Sequence, residues 1–297
     1  MYDVIIIGAG PAGLTASIYA SRAGYNALTI ECAGPGGQML STYEVDNYPG
    51  LKGISGMDLG SKMKEHALLL GANIVNENVT AVELDGEVKT VTTEKGQYTT
   101  KNIIIATGAS HAKLGVAGED ELAGMGVSYC ATCDGAFYKG CEVAVVGGGD
   151  VAAEDAIFLA RTCSKVYLIH RRDTLRAADS LQKQLKELPN VEMIWNTTVE
   201  SLEGDGELTG LVLKDASGET SNLAVEGLFV AVGINPVTRL FGGKVDMNEK
   251  GYIIAGEDCR TSVPGVFVAG DARAKALRQI VTAVADGANA VESIKGL

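Results

Sequence analysis

The chain has 297 residues, with 37 acidic against 25 basic side chains, a formal net charge of −12, and 38 glycines against 6 prolines. That acid excess excludes a non-specific nucleic-acid binder, which needs a basic footprint, and argues against docking on anionic lipid. A hydrophobic content of 46% excludes a disordered chain, and the length points to about two domains.

The first predicted element is a strand over Val4–Ile7, so close to Met1 that no signal peptide is expected. No apolar run exceeds strand length, so no membrane span is expected. The turn Gly8-Ala9-Gly10-Pro11-Ala12-Gly13 follows, then a helix of about three turns and an apolar strand ending at Ile30-Glu31. Strand, glycine turn, helix and strand make a βαβ unit with a dinucleotide fingerprint. Gly8 allows the tight turn, Gly10 lets a pyrophosphate approach the backbone, and Gly13 lets the helix pack close. The orphan N–H groups at the positive helix end receive the pyrophosphate.

Further along, residues 78–100 read as antiparallel meander strands, and Ile103–Gly108 as a central strand ending in the ligand loop Ala106-Thr107-Gly108. Cys130-Ala131-Thr132-Cys133 is the one close cysteine pair, and Asp134 follows it directly. A two-residue spacer lets two sulfurs meet as a disulfide, with thiol pKa values that are often lowered. A dithiol–disulfide cycle needs a proton for the departing thiolate, and Asp134 is the nearest carboxyl. Zinc would need four ligands, and the other cysteines (32, 141, 163, 259) are single, with His66 and His111 the only histidines besides His170, so no metal site is expected. Six cysteines in a chain this long do not form a disulfide scaffold. The expectation is a cytosolic protein whose functional disulfide is redox-active. The single cysteines and Trp195 are expected in the core, and His66 and His111 at the surface or packed.

The fingerprint then recurs. Residues 143–170 align without gaps on residues 4–31 at an offset of 139, with Val4/Val143, Gly8/Gly147, Gly10/Gly149, Ile18/Ile157, Arg22/Arg161 and Ile30/Ile169 identical. The second turn is Gly147-Gly148-Gly149-Asp150-Val151-Ala152, with Ala152 in the small third position. One such turn is weak evidence; two, each with a strand before and a helix after, are specific. The copies differ where they meet the ribose. The first has Glu31, a carboxylate suited to free ribose hydroxyls, and the second has His170 followed by Arg171 and Arg172, with Arg176 close behind. Arginine matches phosphate geometry, so the first half should hold an unphosphorylated ribose, FAD or NAD, and the second NADP. Residues 191–226 alternate like a second meander, Leu228–Gly233 reads as a central strand, and Gly265–Asp271 as a short strand closed by an acid. The predicted fold is α/β: two Rossmann-like (βαβ) nucleotide-binding domains, each with a small antiparallel meander. Residues 1–112 and 242–297 form the outer domain, and residues 113–241 the one inserted into it.

On these residues the chain resembles the low-molecular-weight thioredoxin reductases over nearly its whole length. The carrying motifs, in the family's order, are Gly8–Gly13, Gly36-Gly37-Gln38, Asp46-Asn47-Tyr48-Pro49-Gly50, Ala106-Thr107-Gly108, Cys130–Asp134, Gly147–Ala152, His170-Arg171-Arg172 with Arg176, Gly270-Asp271 and Arg278-Gln279-Ile280. The resemblance implies FAD in the outer domain, with its pyrophosphate at Gly8, Gly10, Pro11, Ala12 and Gly13 and its ribose at Glu31. Gly37, Gln38 and Asn47 would approach the flavin, with Thr107 and Gly108 in the adjoining ligand loop. Gly270-Asp271 would hold the ribityl chain, and Arg278, Gln279 and Ile280 would pass the ring at a helix start. NADPH would sit at Gly147, Gly149, Asp150 and Ala152, with Glu154 near the nicotinamide and His170, Arg171, Arg172 and Arg176 at the 2′-phosphate. It also implies a homodimer whose substrate is thioredoxin or a thioredoxin-like protein. Cys133 would face the flavin, Cys130 would attack the thioredoxin disulfide, and Asp134 would act as acid and base. The dithiol precedes the second turn by about fourteen residues, and the family brings both to one flavin by rotating the inner domain about crossings expected near Lys113 and Gly242.

Other readings are weaker. The larger disulfide reductases carry their dithiol in the first helix after the FAD turn and a C-terminal His–Glu pair; here that helix has no cysteine, and no histidine follows His170. A ferredoxin-driven sister enzyme has no need of the three arginines. A dithiol oxidase is disfavoured by analogy alone, and a flavin-binding sensor without turnover by the dithiol beside the NADP motif. Val237 after Pro236, and Asp150 for a common Asn, depart from the family pattern and leave the fine preference for the pyridine nucleotide open.

Overall fold

The computed structural model describes residues 1–42, 44, 45 and 47–295, so Asp46 of the Asp46–Gly50 motif lies outside the described residues. The chain forms two units, Met1–Ser110 with Asn235–Leu297, and His111–Ile234 between them. The outer unit opens with β1 (Tyr2–Ile7), α1 (Pro11–Arg22), β2 (Ala27–Glu31), α2 (Gly56–Leu69), β3 (Asn73–Asn76), β4 (Val79–Glu83), β5 (Lys89–Thr93), β6 (Gln97–Ile105) and the crossing strand β7 (Ala109–His111). The inner unit runs through β8 (Val127–Ser128), α3 (Ala131–Asp134), β9 (Glu142–Gly147), α4 (Asp150–Leu159), β10 (Lys165–Ile169), α5 (Asp179–Glu187) and β11 (Val191–Ile194). Then come β12 (Thr197–Gly204), β13 (Leu208–Asp215), β14 (Thr220–Ala224), β15 (Gly227–Ala231) and the returning β16 (Ile234–Pro236). The outer unit closes with β17 (Val266–Val268) and α6 (Ile280–Ile294).

The outer sheet has parallel strands in the order β3-β2-β1-β6, with β17 parallel to the end of β6 and the antiparallel pair β5-β4 on its beginning. A parallel sheet covered on both faces needs strands that are apolar throughout, and Val4, Ile5 and Ile6 are each 0% exposed. Burying one such side chain is worth about 1.5–3 kcal/mol. Ile5, Ile7, Leu28, Ile30, Ile103 and Phe241 fill one face; Val4, Ile6, Ile104 and Phe267 fill the other, beneath α1 and α6. These helices meet through small residues. A Cβ on Gly287 of α6 would lie 2.3 Å from the carbonyl of Ala12, so the backbones touch.

The inner sheet repeats the plan, all parallel in the order β11-β10-β9-β15-β8, with β12-β13-β14 as its antiparallel meander. Val191–Ile194, expected in that meander, is instead the parallel edge strand β11: Val191 and Ile194 pair with Val166 and Ile169. Residues 235–241, expected in the inner domain, fold with the outer unit, because Phe241 is fully buried in the outer core. The crossings therefore fall at Ser110–His111 and Ile234–Asn235. Among the described residues no helix is long and apolar enough to cross a membrane.

Candidate active site and nucleotide cradles

In the inner unit Cys130 and Cys133 are joined by a disulfide, S–S 2.11 Å with Cα atoms 5.3 Å apart. Cys130 caps the single turn α3, and its carbonyl accepts from the N–H groups of Cys133 and Asp134, both at 3.1 Å. The buried Ser128 donates its hydroxyl proton to Asp134 Oδ2 at 2.6 Å and accepts from the Cys130 N–H at 3.1 Å. Burial, followed by the charge of Asp134, pushes the Tyr138 phenol up to about 12. On α4, burial and then the charge of Glu154 push Asp155 up to about 7. Ahead of the dithiol, the buried Glu119 accepts from the N–H groups of Leu114 and Gly115 and from the Tyr129 hydroxyl. The His111 ring lies 5.5 Å from that of Tyr129, and burial lowers its pKa.

The inner glycine turn opens α4, with Gly149 as N-cap and Asp150 in the first turn. A Cβ on Gly147 would lie 2.5 Å from the carbonyl of Ala231 and 2.6 Å from Cβ of Ala152, whereas one on Gly149 would meet nothing within 4 Å. The first glycine is thus filled by protein and the second faces open space, where a pyrophosphate needs it. Arg171, Arg172 and Arg176 are exposed, and among the described residues none of them has an ion-pair partner. The loop that carries them is strapped over the turn: the Arg176 N–H donates to the carbonyl of Gly148 at 2.7 Å, and the Ala178 N–H to Asp150 Oδ1 at 2.8 Å. Glu154 is exposed on α4.

His170, predicted as part of the cationic cluster, is buried where the arginines are exposed, although Arg176 and Arg171 lie near enough to act on its charge. It is 6% exposed, and burial, with the charges of Arg176 and Arg171, lowers its pKa. Its ring occupies the space above Gly148, whose Cβ would lie 2.1 Å from His170 Cε1. Trp195, predicted in the core, is 37% exposed and meets that ring edge-on at 6.4 Å. Cys32 is likewise exposed, while Cys163 and Cys259 are buried as predicted.

In the outer unit Gly10 caps α1 and Pro11 begins it, its missing N–H being one the helix start leaves unpaired anyway. A Cβ on Gly13 would stand 1.9 Å from the Gly8 carbonyl; one on Gly10 would find nothing nearer than the Cα of Gly37 at 3.8 Å. Glu31 at the end of β2 takes the Ala9 N–H on Oε2 at 2.7 Å, and on Oε1 the N–H groups of Ala33 at 2.9 Å and Gly34 at 3.4 Å. Gly270 abuts Ala12, where a Cβ would come within 2.9 Å of the Ala12 Cβ. The adjacent Asp271 has Oδ1 buried without a hydrogen-bond partner; burial raises its pKa against the opposing charges of Lys275 and Arg278. Arg278 stacks 4.0 Å over the Tyr252 ring, and its Nε is buried without a hydrogen-bond partner. Asn47 donates to the Gln279 side chain at 3.0 Å, and Gln279 caps α6 at Ile280 through a reciprocal pair of bonds with Thr282. Gln38 donates to the carbonyl of Ala109, and Thr107 to that of Val237 at 2.6 Å. Gly108 accepts from the Val237 N–H at 3.0 Å.

The family described as pyridine nucleotide-disulphide oxidoreductase matches residues 2–287. A thioredoxin reductase of Listeria monocytogenes is 51% identical over 97% of this chain and 91% of its own length. One of Bacillus subtilis is 47% identical over 99% and 94%. The crystal structure of thioredoxin reductase from Streptococcus pyogenes superposes with a TM-score of 0.96 at 42% identity, covering 100% of this chain and 97% of that one. The chain belongs to the thioredoxin reductases of the pyridine nucleotide-disulphide oxidoreductase family.

A thioredoxin reductase is a flavin-dependent oxidoreductase, and membership implies binding of a flavin and a pyridine nucleotide. The outer cradle fits such a ligand on its own geometry: an open second glycine and two buried polar atoms, Asp271 Oδ1 and Arg278 Nε, with no hydrogen-bond partner among the described residues. The inner cradle fits a phosphorylated nucleotide through its open Gly149 and three exposed guanidinium groups that have no ion-pair partner among the described residues. Two groups escaped the sequence reading. One is Ser128, two residues before the dithiol. The other is the ion cluster of Asp286, Arg273 and Lys275 behind Gly270-Asp271. The signal for the cluster was an acid, Asp286, among the small and apolar residues of the middle of α6.

Proposed function

We propose that the protein uses NADPH and FAD to reduce the disulfide of thioredoxin, or of a thioredoxin-like protein, through Cys130 and Cys133. The observation that carries the reading is a disulfide, with an acid hydrogen-bonded beside it, in the same unit as a nucleotide turn overlooked by three unpaired arginines. FAD belongs to the outer cradle, with Gly8–Gly13 at its pyrophosphate, Glu31 at the ribose and Asp271 at the ribityl chain. NADPH belongs to the inner one, with Gly147–Ala152 at the pyrophosphate and Arg171, Arg172 and Arg176 at the 2′-phosphate. What the pair supplies when bound is hydride transfer and two-electron delivery to a disulfide.

The rest is sulfur chemistry on this chain. The Cys130 thiolate attacks a sulfur of the thioredoxin disulfide, forming a mixed disulfide and expelling a thioredoxin thiolate that takes the proton of Asp134. The Cys133 thiol then gives its proton to the Asp134 carboxylate and attacks Cys130 Sγ, reforming the Cys130–Cys133 bond and releasing the second thioredoxin thiolate. A homodimer and a cytoplasmic setting belong to the same reading.

The test is anaerobic addition of NADPH to the FAD-loaded protein while the flavin absorbance is followed. Bleaching reversed by oxidised thioredoxin supports the reading; bleaching by reduced ferredoxin but not by NADPH replaces it with the sister enzyme. Cys130→Ser is expected to abolish thioredoxin turnover, and a variant that still turns over would rule out the nucleophile.

A further inference from the structure

Strand β8 ends at Ser128, and its parallel pairing with β15, Val127 opposite Leu228 and Ser128 opposite Phe229, fixes the backbone there. The side chain is 4% exposed, so water does not compete for its hydrogen bonds. Its hydroxyl has one proton. The 2.6 Å distance to Asp134 Oδ2 is that of a charge-assisted O–H···O⁻ bond and commits the proton to the carboxylate. A lone pair on the same oxygen accepts the Cys130 N–H at 3.1 Å, and the 3.4 Å approach to the Cys130 carbonyl is secondary. Asp134 itself ends a four-residue helix. One turn of helix fixes few dihedrals cooperatively, so the acid depends on a contact outside the turn to keep its place.

We propose that Ser128 is a positioning residue for proton transfer at the dithiol: its hydroxyl ties the Asp134 carboxylate to the backbone of Cys130, so that acid and sulfur pair are held as one unit. This rests on the roles given above to Cys130, Cys133 and Asp134. Two-electron reduction of the Cys130–Cys133 bond, by reduced flavin in the enzyme or by dithiothreitol in a test, leaves two thiolates. One takes the proton held by the Asp134 carboxyl, and the resulting carboxylate regains a proton from water. Ser128 donates to the charged form of Asp134 and so stabilises it. Losing the hydroxyl makes the carboxylate hold its proton to higher pH.

Other titrating groups lie close by. Tyr138, on the turn after α3, stays neutral through the neutral range. Helix α4, packed against α3, carries Glu154 and Asp155, and Asp155 titrates at about 7 with a limb of its own. The Asp134→Asn background separates the two limbs.

The experiment is the pH profile of thioredoxin turnover by the flavin-loaded enzyme, for wild type, Ser128→Ala and Ser128→Thr, each alone and combined with Asp134→Asn. One charge-assisted hydrogen bond is worth about tenfold or more. Ser128→Ala is therefore expected to lose roughly tenfold at the optimum and to move the Asp134 limb up by about one pH unit. Ser128→Thr, which keeps the hydroxyl, restores the limb. In the Asp134→Asn background the Ala substitution costs less than about twofold, because the partner it served is gone. An unshifted limb in Ser128→Ala, a Thr variant that behaves like Ala, or a tenfold loss that persists beside Asp134→Asn would each overturn the proposal. Failure of the underlying reading shows separately, as wild-type enzyme that does not reduce thioredoxin. The same limb and non-additivity are then sought in the rate at which iodoacetamide alkylates Cys130 of the dithiothreitol-reduced holoprotein, and their absence overturns the proposal there too.

Discussion

Asp286→Ala removes the anion on which the end of the outer cradle is built. Its carboxylate accepts from the Gly270 N–H at 3.0 Å, from Arg273 Nε at 3.1 Å and Nη2 at 2.8 Å, and from Lys275 Nζ at 3.0 Å. The side chains of Asp286, Lys275 and Arg273 are 5%, 7% and 14% exposed. Cutting one partner from a buried ion pair costs about 3–5 kcal/mol, because the surviving charge stays buried. Other contacts survive here, among them Arg273 Nη1 to the carbonyl of Ala255 at 3.4 Å and Lys275 Nζ to the Thr282 hydroxyl at 3.4 Å. Arg273 Nη1 keeps the carbonyl of Gly256 at 3.0 Å, and Lys275 has Asp271 at 3.8 Å. The lower end applies, ~3 kcal/mol. With a urea dependence of about 2 kcal/mol per M, the outer unit should unfold roughly 1.5 M earlier. The assay is urea unfolding of the holoenzyme followed by flavin fluorescence, which, with the flavin placed as proposed above, reads the outer unit by itself in a chain whose two units need not unfold together. Lys275→Met leaves Asp286 paired with Arg273 and should cost clearly less. A midpoint shift below about 0.5 M for Asp286→Ala, or an equal shift for Lys275→Met, would refute this account of the cluster.

Two further predictions concern the inner unit. Arg171→Ala with Arg172→Ala should raise the KM for NADPH by about 30- to 100-fold, on the order of tenfold per phosphate contact less some coupling, with little change for NADH. Equal effects on the two nucleotides would show that the phosphate is held elsewhere. Burial keeps Asp155 protonated up to about pH 7, whereas the unfolded chain ionises near pH 4. Between those values the native state binds the extra proton, so stability falls as pH rises through that window and levels off above it, by at most ~4 kcal/mol. Asp155→Asn should abolish that slope, leaving the inner unit more resistant to urea than wild type at pH 8 but not at pH 4.5. Parallel pH profiles for the two proteins would sink the assignment.

What could be read from the sequence was what spacing encodes. The clash distances at Gly13 and Gly147 and the open space at Gly10 and Gly149 are consequences of the fingerprint, so the backbone geometry of both turns was legible before any coordinates. His170 was misread because its sequence neighbours are cationic while its own place is decided by the turn below. At the offset of 139 it answers to Glu31, and both strand-end side chains clasp the middle residue of their glycine turn. Glu31 does so by accepting the Ala9 N–H, His170 by filling the place of a Cβ on Gly148. The arginines, unlike His170, stay exposed. Phe241 and Val191–Ile194 were misassigned because an apolar residue carries no address: which core it joins depends on tertiary packing. Ser128 and Asp286 were missed since a single hydroxyl or a single acid has no pattern until its partners, Asp134 for the one and Gly270, Arg273 and Lys275 for the other, are brought to it.

The edge strands explain why the dithiol stands where it does in the chain. β17 and β8 fill the same place beside the central strands β6 and β15 of their sheets, yet β17 follows its fingerprint and β8 precedes its own. In a parallel sheet all carboxyl ends lie on one edge, and ligands bind there. The inner chain, entering along β8, therefore delivers whatever comes next to the same edge as Gly147, the end of β10 and the end of β15. What comes next is Tyr129 and then Cys130. Had the edge strand come last, as in the outer unit, the segment after it would have been the chain's way out to β16. A redox pair there would have had to sit on a crossing connection, free to shift with it. Placed after an opening edge strand, it is anchored on one side by the β15 ladder and on the other by α4, with no long loop between sulfur and cradle.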